Sequence, residues 1–322
     1  MAAEPGASCP VCGATGVREP FGRYRDEEYF TSAELFDYWR CSCCHSVYLH
    51  PAPVARLAEI YPPNYYSYSP RAGAGLVQRA KRWLDARLFR QVLRRLRSPA
   101  LDVLDVGGGA GWLLDLIRQL DSRVRHTQVV DLDSKAAEGA RAKGHEFACQ
   151  RIEEFSSTRR FDLVLLMNLI EHVESPREVL ANVARLLAPG GLVLIKTPNL
   201  DSLDARLFRR TYWAGLHVPR HWVLFTRESF ERALAGSGLR IRQFAYTQGA
   251  PFWAASVLAA AKRRGWVDVS AARPSFYHPL FGPLAAVFAA FDMLRAPFGR
   301  RSQMVILLEA DSPQPANRAN TK

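Results

Sequence analysis

Apolar and polar positions along residues 101–196 follow a pattern that predicts strands and helices in turn. Short apolar runs mark the strands, whereas apolar residues at three- and four-residue spacing mark the helices. The predicted strands are 101–106, 127–130, 161–167 and 192–196, with two last strands at 239–246 and 303–309, and the predicted helices are 111–120, 134–143 and 176–187. Such alternation is typical of α/β folds with a doubly wound, mostly parallel sheet.

Two helix starts carry recognisable capping signals. Ser134 is the expected N-cap of its helix, because a serine hydroxyl can accept from a free N–H group of the first turn. Ser175 and Glu178 match a capping box, with Pro176 at the first helical position. We therefore expect both helices to begin at these residues.

Segments outside this core divide the chain further. Residues 75–97 form a predicted amphipathic helix whose many basic residues are opposed only by Asp85, so it is either a solvated face or an anion-binding one. Two apolar, helix-like segments interrupt the last two strands. The predicted units are a cysteine-rich segment 1–60, a linker and basic helix 61–98, an α/β domain 99–311 with a helical insert at 249–300, and a disordered tail 312–322.

Length and charge narrow the class of protein. A chain of 322 residues allows one sizeable core and a smaller module. The net charge of +12 favours acidic partners such as nucleic acid, an anionic membrane or a phosphate-bearing substrate. The N-terminus does not resemble a signal peptide, and the apolar segments 250–261 and 280–291 are shorter than the roughly 20 residues of a membrane span. We expect a cytoplasmic protein.

A glycine-rich turn follows the first predicted strand. Asp105 is followed by Gly107, Gly109 and Gly111, and then by an apolar helix. Glycines here let the backbone approach a ligand closely, and the helix presents free N–H groups to it. A dinucleotide is the alternative ligand, but its fingerprint requires glycine or alanine where this chain has Trp112.

An acidic residue stands at the end of the second predicted strand. Asp131 can accept hydrogen bonds from both hydroxyls of a ribose, as acids at this place do in nucleotide-binding folds. Asp133 is the competing candidate, two residues farther on. Together with the glycine turn, the acid predicts a site for an adenosyl cofactor.

At these residues the sequence resembles the class I S-adenosylmethionine-dependent methyltransferases, most closely a bacterial branch with a cysteine-rich N-terminal segment that often modifies sugars or glycans. The resemblance implies a Rossmann-like, seven-stranded sheet. Many relatives carry a Gly-Asp pair beside the adenine, whereas this chain reads Gln-Arg-Ile-Glu at 150–153. The residues then expected at the cofactor are Asp105, Gly107, Gly109, Gly111, Asp131, Leu132, Ile152, Glu153, Met167 and Asn168.

Histidines are the candidates for acceptor chemistry. Methyl transfer is an in-line displacement, so the protein mainly aligns the reactants, but a hydroxyl acceptor also needs a general base. His221 is the first candidate, His172 the second and His217 the third, each with a purely structural role as its alternative. Arg220 suits an anionic acceptor. Quinone methyltransferases can hold a divalent ion with two glutamates and a histidine; Asn168 replaces the first glutamate, so we expect no catalytic metal.

Two C-x-x-C pairs predict a structural zinc site. Cys9 and Cys12 are separated by 28 residues from Cys41 and Cys44, and such knuckles place four thiolates tetrahedrally around Zn²⁺. The resemblance leaves Cys43 free. Cysteines packed as small apolar residues are the alternative.

Three functions remain open at this point. The favoured one is a methyltransferase that acts on a small-molecule or glycan acceptor. The second is a nucleic-acid methyltransferase of the ribosomal-RNA type, although the ribbon interior is acidic and no Asn-Pro-Pro-Tyr-like tetrad follows residue 167. The third is a non-catalytic scaffold. The apolar insert either packs on the sheet as extra core and dimer surface or covers the acceptor pocket as a lid, and together with the basic helix it also suggests peripheral contact with an anionic membrane at its inner face. The oligomeric state is open.

Overall fold

The computed structural model describes residues 8–62, 65 and 76–311. The predicted disordered tail and most of the predicted linker lie outside these residues. The described strands are β1 (Arg18–Tyr24), β2 (Phe36–Cys41), β3 (Val47–Leu49), β4 (Leu101–Val106), β5 (Val124–Asp131), β6 (Glu146–Cys149), β7 (Phe161–Met167), β8 (Leu187–Pro198), β9 (Val223–Leu224), β10 (Leu239–Thr247) and β11 (Gln303–Ala310).

Seven of these strands form the central sheet, in the order β10-β11-β8-β7-β4-β5-β6. The pairs from β8 to β6 are parallel, whereas β11 runs antiparallel to both β8 and β10. The predicted doubly wound, mostly parallel, seven-stranded sheet is therefore confirmed. In chain order, β4 is the first strand of this sheet, and it lies between β5 and β7. The strand order therefore reverses at β4. A ligand crevice is expected at this switch point, beyond the carboxyl ends of the strands.

Helices cover both faces of the sheet. The described helices are α1 (Leu57–Ile60), α2 (Leu76–Leu93), α3 (Trp112–Leu120), α4 (Ser134–Ala142), α5 (Pro176–Leu186), α6 (Leu203–Phe208), α7 (Arg227–Leu234), α8 (Ala250–Arg263) and α9 (Phe281–Leu294). The basic helix α2 packs its apolar face, including Phe89 and Leu93, into the same core cluster as Leu101. The two apolar segments of the insert form α8 and α9, as predicted.

Two of the predicted helix caps are wrong in detail. The N-cap of α4 is Asp133, whose carboxylate accepts from the backbone N–H of Lys135, so Ser134 is the first helical residue. Pro176 begins α5 as expected, but the Ser175 side chain makes no capping hydrogen bond. A capping box does form at α7, between Thr226 and Ser229.

The cysteine-rich segment is joined to the α/β domain by a second sheet. Its four strands lie in the order β1-β2-β3-β9, so the last strand comes from the α/β domain. Val47 and Tyr48 of β3 pair with Leu224 and Val223 of β9. One hydrophobic cluster runs from Cys9 and Val47 to the buried residues of β7 and β8. The cysteine-rich segment and the α/β domain therefore share one sheet and one hydrophobic cluster.

Candidate functional site

The glycine turn is shaped by close contacts. Gly107 and Gly111 adopt the left-handed backbone region, with φ of 73° and 74°. A Cβ on Gly107 would lie 2.7 Å from Cδ1 of Leu169, and one on Gly111 would lie 2.4 Å from Cδ2 of His145. Side chains other than hydrogen are excluded at both positions. The turn therefore keeps its backbone open beside the switch point, where β4 ends and α3 begins.

Asp131 ties the end of β5 to this turn. Its Oδ2 accepts from the N–H of Gly109 at 2.8 Å, and its Oδ1 accepts from the N–H of Asp133 at 2.9 Å. Asp133 itself turns away to cap α4. Of the two acids considered from the sequence, Asp131 is the one that faces the glycine turn. Each of its oxygens retains acceptor capacity for a ligand hydroxyl.

Asp105 is buried beneath the turn and has an acceptor to spare. Its carboxylate is 1% exposed, and among the described residues its Oδ2 has no hydrogen-bond partner. Burial and the nearby Asp131 charge raise the pKa of Asp105 to about 8. A buried polar atom without a partner is costly, so this site favours a ligand that donates a hydrogen bond or carries positive charge.

Of the residues predicted beside an adenine, one is exposed and two already have partners within the protein. Leu132 is 52% exposed next to Asp131, as an apolar ring contact requires. Ile152 is buried, and its carbonyl accepts from Nδ2 of Asn182 at 2.6 Å. The Glu153 carboxylate lies 2.9 Å from Nη2 of Arg151, so its charge already has a partner. The adenine contact of residues 152 and 153 stays a prediction.

The end of β7 leads from the glycine turn to the acceptor side. Met167 is the last residue of the strand, and Asn168 follows in the left-handed region, with φ of 59°. Nδ2 of Asn168 donates to Oε1 of Glu171 at 3.2 Å, and the hydroxyl of Thr197 donates to Oε2 at 2.9 Å. Burial raises the pKa of Glu171 to about 7. Glu171 was not predicted as a site residue, although it stands beside His172 in the segment that was compared with the quinone methyltransferases.

The three candidate histidines form one cluster. The ring centroid of His221 lies 4.6 Å from that of His172 and 5.0 Å from that of His217. Nδ1 of His221 lies 2.8 Å from the carbonyl oxygen of Gly215, so this nitrogen carries the proton and Nε2 keeps its lone pair. That Nε2 lies 3.9 Å from Oε1 of Glu171.

Two histidines of the cluster, His172 and His221, are neutral. Burial, together with neighbouring histidines, lowers the pKa of His221 well below its usual value and that of His172 to about 3. Nδ1 of His172 lies 3.0 Å from the carbonyl oxygen of Arg220 and 2.9 Å from the hydroxyl of Tyr61. A neutral imidazole with a free lone pair can accept a proton, whereas an imidazolium cannot.

Three consecutive acids of the N-terminal segment reach into the other half of the chain. Asp26 accepts from Nη2 of Arg220 at 2.8 Å, with both side chains 0% exposed. Glu28 lies 3.0 Å from Nδ1 of His217, and Glu27 lies 3.2 Å from Nζ of Lys262. From the sequence, these acids were expected only to make the interior of the ribbon acidic. The Arg220 charge is therefore matched inside the protein, and its predicted contact with an anionic acceptor stays a prediction.

Four cysteines come together at the N-terminus. The Sγ atoms of Cys9 and Cys44 are 3.7 Å apart, as are those of Cys12 and Cys41, and all four lie within 4.8 Å of one another. Cys43 is exposed and lies outside the group. Four thiolates bound to one Zn²⁺ at about 2.3 Å would be separated by about 3.8 Å, so the geometry fits this ion.

A second group could also hold a cation. Ligand atoms of Glu171, His172 and His221 lie within 4.8 Å of one another. Asn168 donates an amide N–H to Glu171. A carboxylate at position 168 would instead be a further ligand for a cation and would strengthen such a site. The absence of a catalytic metal stays a prediction.

The comparisons with known proteins match the central part of the chain. Residues 78–243 match a family described as "Methyltransferase domain". The ubiquinone biosynthesis O-methyltransferase of Rhodopseudomonas palustris (strain BisB5) is 31% identical over 159 residues, which cover 44% of this chain and 60% of that protein. The enzyme of the same name from Bradyrhizobium sp. (strain ORS 278) is 37% identical over 107 residues, covering 31% of this chain and 40% of its own.

The matched part of the chain therefore spans 60% and 40% of the length of these two relatives, less than two thirds of either. Among solved structures, the plantazolicin methyltransferase BpumL in complex with a triazolic desmethylPZN analog and SAH has 18% sequence identity and a TM-score of 0.46, with 72% of this chain and 85% of that chain covered.

The buried pair of Asp26 and Arg220 generates the first testable prediction. Asp26→Asn should lower the free energy of unfolding by about 3–5 kcal/mol, because it leaves the Arg220 charge buried without a partner. Urea unfolding followed by tryptophan fluorescence measures the change. Glu34→Gln, which removes half of an exposed pair with Arg56, is the matched control and should cost less than about 1 kcal/mol.

The same pair has a defined pH dependence. Burial opposes ionisation of Asp26, but Arg220 and backbone N–H groups outweigh it and lower the pKa from 3.8 to about 2. A lowered carboxylate pKa gives stability that is present above pH 3.8 and is lost as the pH falls through 2. Equal costs for Asp26→Asn and Glu34→Gln at neutral pH would contradict the role given to this pair.

Proposed function

This chain belongs to the methyltransferase domain family, and on that premise we propose that it transfers a methyl group from S-adenosylmethionine to a small-molecule or sugar acceptor. The observation that carries the proposal is the junction of β4 and β5. There Asp131 holds the open glycine turn through Gly109, and Asp105 lies beneath it with an unsatisfied acceptor. This combination suits a ligand that has both ribose hydroxyls and a cationic amino group.

Each group at the crevice has a part in this assignment. The turn at Gly107–Gly111 leaves room for the amino acid portion of the cofactor, and Asp131 accepts from the ribose. Asp105 and Asn168 lie on the neighbouring strand ends of β4 and β7, nearest the reacting centre. When bound, S-adenosylmethionine supplies a methyl group that is already activated. The protein then needs to align the acceptor and exclude water.

His221 is the proposed general base for a hydroxyl acceptor. Its Nε2 has a free lone pair on the side of Glu171, because Nδ1 is held by the carbonyl of Gly215. Burial lowers its pKa and keeps it unprotonated at neutral pH, but burial also opposes the charge that it would gain, so the nearby Glu171 would have to stabilise the imidazolium. His172 is the second candidate, and His217 is a positioning residue that links the cluster to Glu28. Transfer of the acceptor proton to Nε2 would leave an oxygen nucleophile facing the end of β7.

The acceptor class is the finer part of the proposal. The curated relatives are named for O-methylation in ubiquinone biosynthesis, which supports an oxygen acceptor on a small molecule. The four-cysteine segment supports the sugar or glycan branch. A nucleic-acid acceptor is the alternative, and the acids that could repel a phosphate backbone are here paired within the protein. A direct test is therefore required.

We also propose that one Zn²⁺ is held by Cys9, Cys12, Cys41 and Cys44. Cys9 and Cys12 precede β1, Cys41 ends β2, and Cys44 lies between β2 and β3, so the ion would fasten the segment that carries Asp26 and Glu28. A closed four-thiolate site is structural, because it has no open position for a substrate. Its contribution to the reaction is indirect, through the position of these two acids.

The cofactor assignment predicts an affinity change. Asp131→Ala should weaken binding of S-adenosylmethionine by about 1–3 kcal/mol in calorimetry, since the ribose hydroxyls and the Gly109 N–H lose their acceptor. Asp133→Ala is the control: it removes the cap of α4 but leaves the crevice intact. Equal affinity in the Asp131→Ala and wild-type proteins would show that this residue does not contact the cofactor.

The zinc assignment predicts a difference between adjacent cysteines. Cys44→Ser should lose the metal measured by elemental analysis, and Cys43→Ser should keep about one equivalent, because only Cys44 lies in the four-thiolate group. Loss of metal should also lower the midpoint of thermal unfolding. A Cys44→Ser protein that retains a full equivalent would contradict the ligand set.

The acceptor is tested by release of S-adenosylhomocysteine with separate panels of nucleotide sugars, phenolic small molecules and RNA. We expect release with a sugar or a phenol. With that acceptor, His221→Gln should lower kcat by about 100- to 10,000-fold, because the amide cannot take a proton. His126→Gln is the control, because His126 lies near the amino end of β5, whereas the candidate site lies beyond the carboxyl ends of the strands. Release that requires RNA and falls steeply with salt would favour the nucleic-acid alternative.

A further inference from the structure

Helix α9 carries its only charge on its inner side. Asp292 is fully buried and accepts from the N–H of Gly249 at 3.1 Å and the hydroxyl of Ser302 at 3.3 Å. Phe288 stacks on Trp253 of α8 with ring centroids 4.8 Å apart, so the inner side is apolar as well. A surface helix ordinarily exposes charged and polar residues on its outer side. The outer side of α9 is instead apolar.

The outward residues form a continuous stripe. Val287 is 63% exposed, Leu294 is 78% exposed, and Phe298, just beyond the helix, is 88% exposed. These residues, with Phe291 between them, recur at spacings of three, four and seven, which place them on one side of the helix. Large exposed apolar patches in a soluble fold mark a surface that another body covers.

Positive charge surrounds this stripe in the chain. Residues 249–301 contain seven lysines and arginines and two aspartates. Lys262 and Arg263 pair with Glu27, Arg295 with the buried Asp292, and Arg300 with Asp201, and the insert with these partners keeps an excess of positive charge. Arg264 is exposed in the turn between α8 and α9, 5.3 Å from the ring of Trp266, which is 73% exposed. Arg300 is exposed just beyond the helix. Apolar helices flanked by basic and aromatic residues are typical of segments that lie in the headgroup region of a bilayer.

We propose that α9 and the turn that follows it dock on the surface of an anionic membrane, with the stripe Val287–Phe298 in the headgroup layer. An isologous contact with a second copy is the other way to cover such a face. It would bring two equally basic inserts together, because the same patch lies on both sides of a twofold interface. Anionic headgroups instead complement this charge.

The docked helix would not cross the bilayer. Within the described part of the chain, no helix is both long enough and apolar enough to span a membrane. With 14 residues, α9 is about 21 Å long, shorter than the roughly 30 Å of hydrocarbon. The contact is therefore an interfacial one.

Aromatic rings connect the half-buried side of α9 to the histidine cluster. Phe281 of α9 lies 4.8 Å from Phe276 between ring centroids, Phe276 stacks on Tyr29 at 6.1 Å, and Tyr29 contacts His217 at 6.1 Å. The helix that carries the docked stripe therefore also contacts the acceptor side, which suits an acceptor carried by the same bilayer. That extension rests on the proposed function, whereas the docking itself does not.

Sedimentation with vesicles tests the docking. The purified full chain is mixed with phosphatidylcholine vesicles, either pure or containing about one third phosphatidylglycerol. We expect stronger binding to the anionic vesicles at low salt, and weaker binding as salt is raised. Val287→Glu and Leu294→Glu should each reduce this binding about tenfold, because they place a carboxylate in the apolar stripe. Circular dichroism checks that both variants are folded.

The matched control is Leu207→Glu, which changes an apolar residue of α6 that is 60% exposed outside the insert. It should bind as the wild type does. Asp131→Ala protein should also bind normally, which separates failure of the docking from failure of the cofactor assignment. Equal binding to neutral and anionic vesicles, or full binding by Leu294→Glu, would overturn the proposal. So would a dimer in analytical ultracentrifugation that Leu294→Glu dissociates while vesicles are not bound.

Discussion

The buried ion pair between Asp26 and Arg220 is the contact on which the arrangement of the acceptor side depends. The two residues are 194 positions apart, and neither side chain is exposed to solvent. A buried cation without its partner is destabilising by several kcal/mol. Separation of the N-terminal segment from the rest of the chain would therefore have a large cost in free energy. Glu27 and Glu28 take partners on either side of this pair, in α8 and in the histidine cluster. The cysteine-rich segment therefore contributes to the candidate site as well as carrying the four-cysteine cluster.

The meeting of the glycine turn with Asp131 depends on a shorter-range constraint and was predictable for that reason. Gly107, Gly109, Gly111 and Asp131 lie at strand ends that local apolar runs reveal, and the parallel topology brings those ends to one edge. The cysteine pairs were equally visible from spacing alone. In contrast, the pairing of Asp26 with Arg220 follows no period along the chain. The two-residue strand β9 is too short to give an apolar pattern, so the second sheet could not be predicted either.

Local chemistry also explains the smaller errors. Asp133 and Ser134 are both good capping residues, and the structure uses the aspartate one position earlier. At α7, the cap is closed by Ser229 where the usual signature has glutamate or glutamine. The orientation of α9 was not accessible from the sequence, because a helix that is apolar on all sides has no periodic signal that selects a buried face. Its single aspartate decides the orientation, through partners that lie outside the helix.

The protonation states of the histidine cluster bear on the kind of acceptor that fits. Arg220 is the nearest permanent cation, and Asp26 matches its charge. His172 and His221 are neutral because burial lowers their pKa values. Glu171, with its pKa raised to about 7, carries at most part of a negative charge near neutral pH. Such a cluster offers hydrogen-bond acceptors and an imidazole lone pair, and the charge of Arg220 is already matched by Asp26. It therefore suits an uncharged hydroxyl better than a phosphate at the point of transfer, and any anionic part of the acceptor must be bound elsewhere on this basic protein.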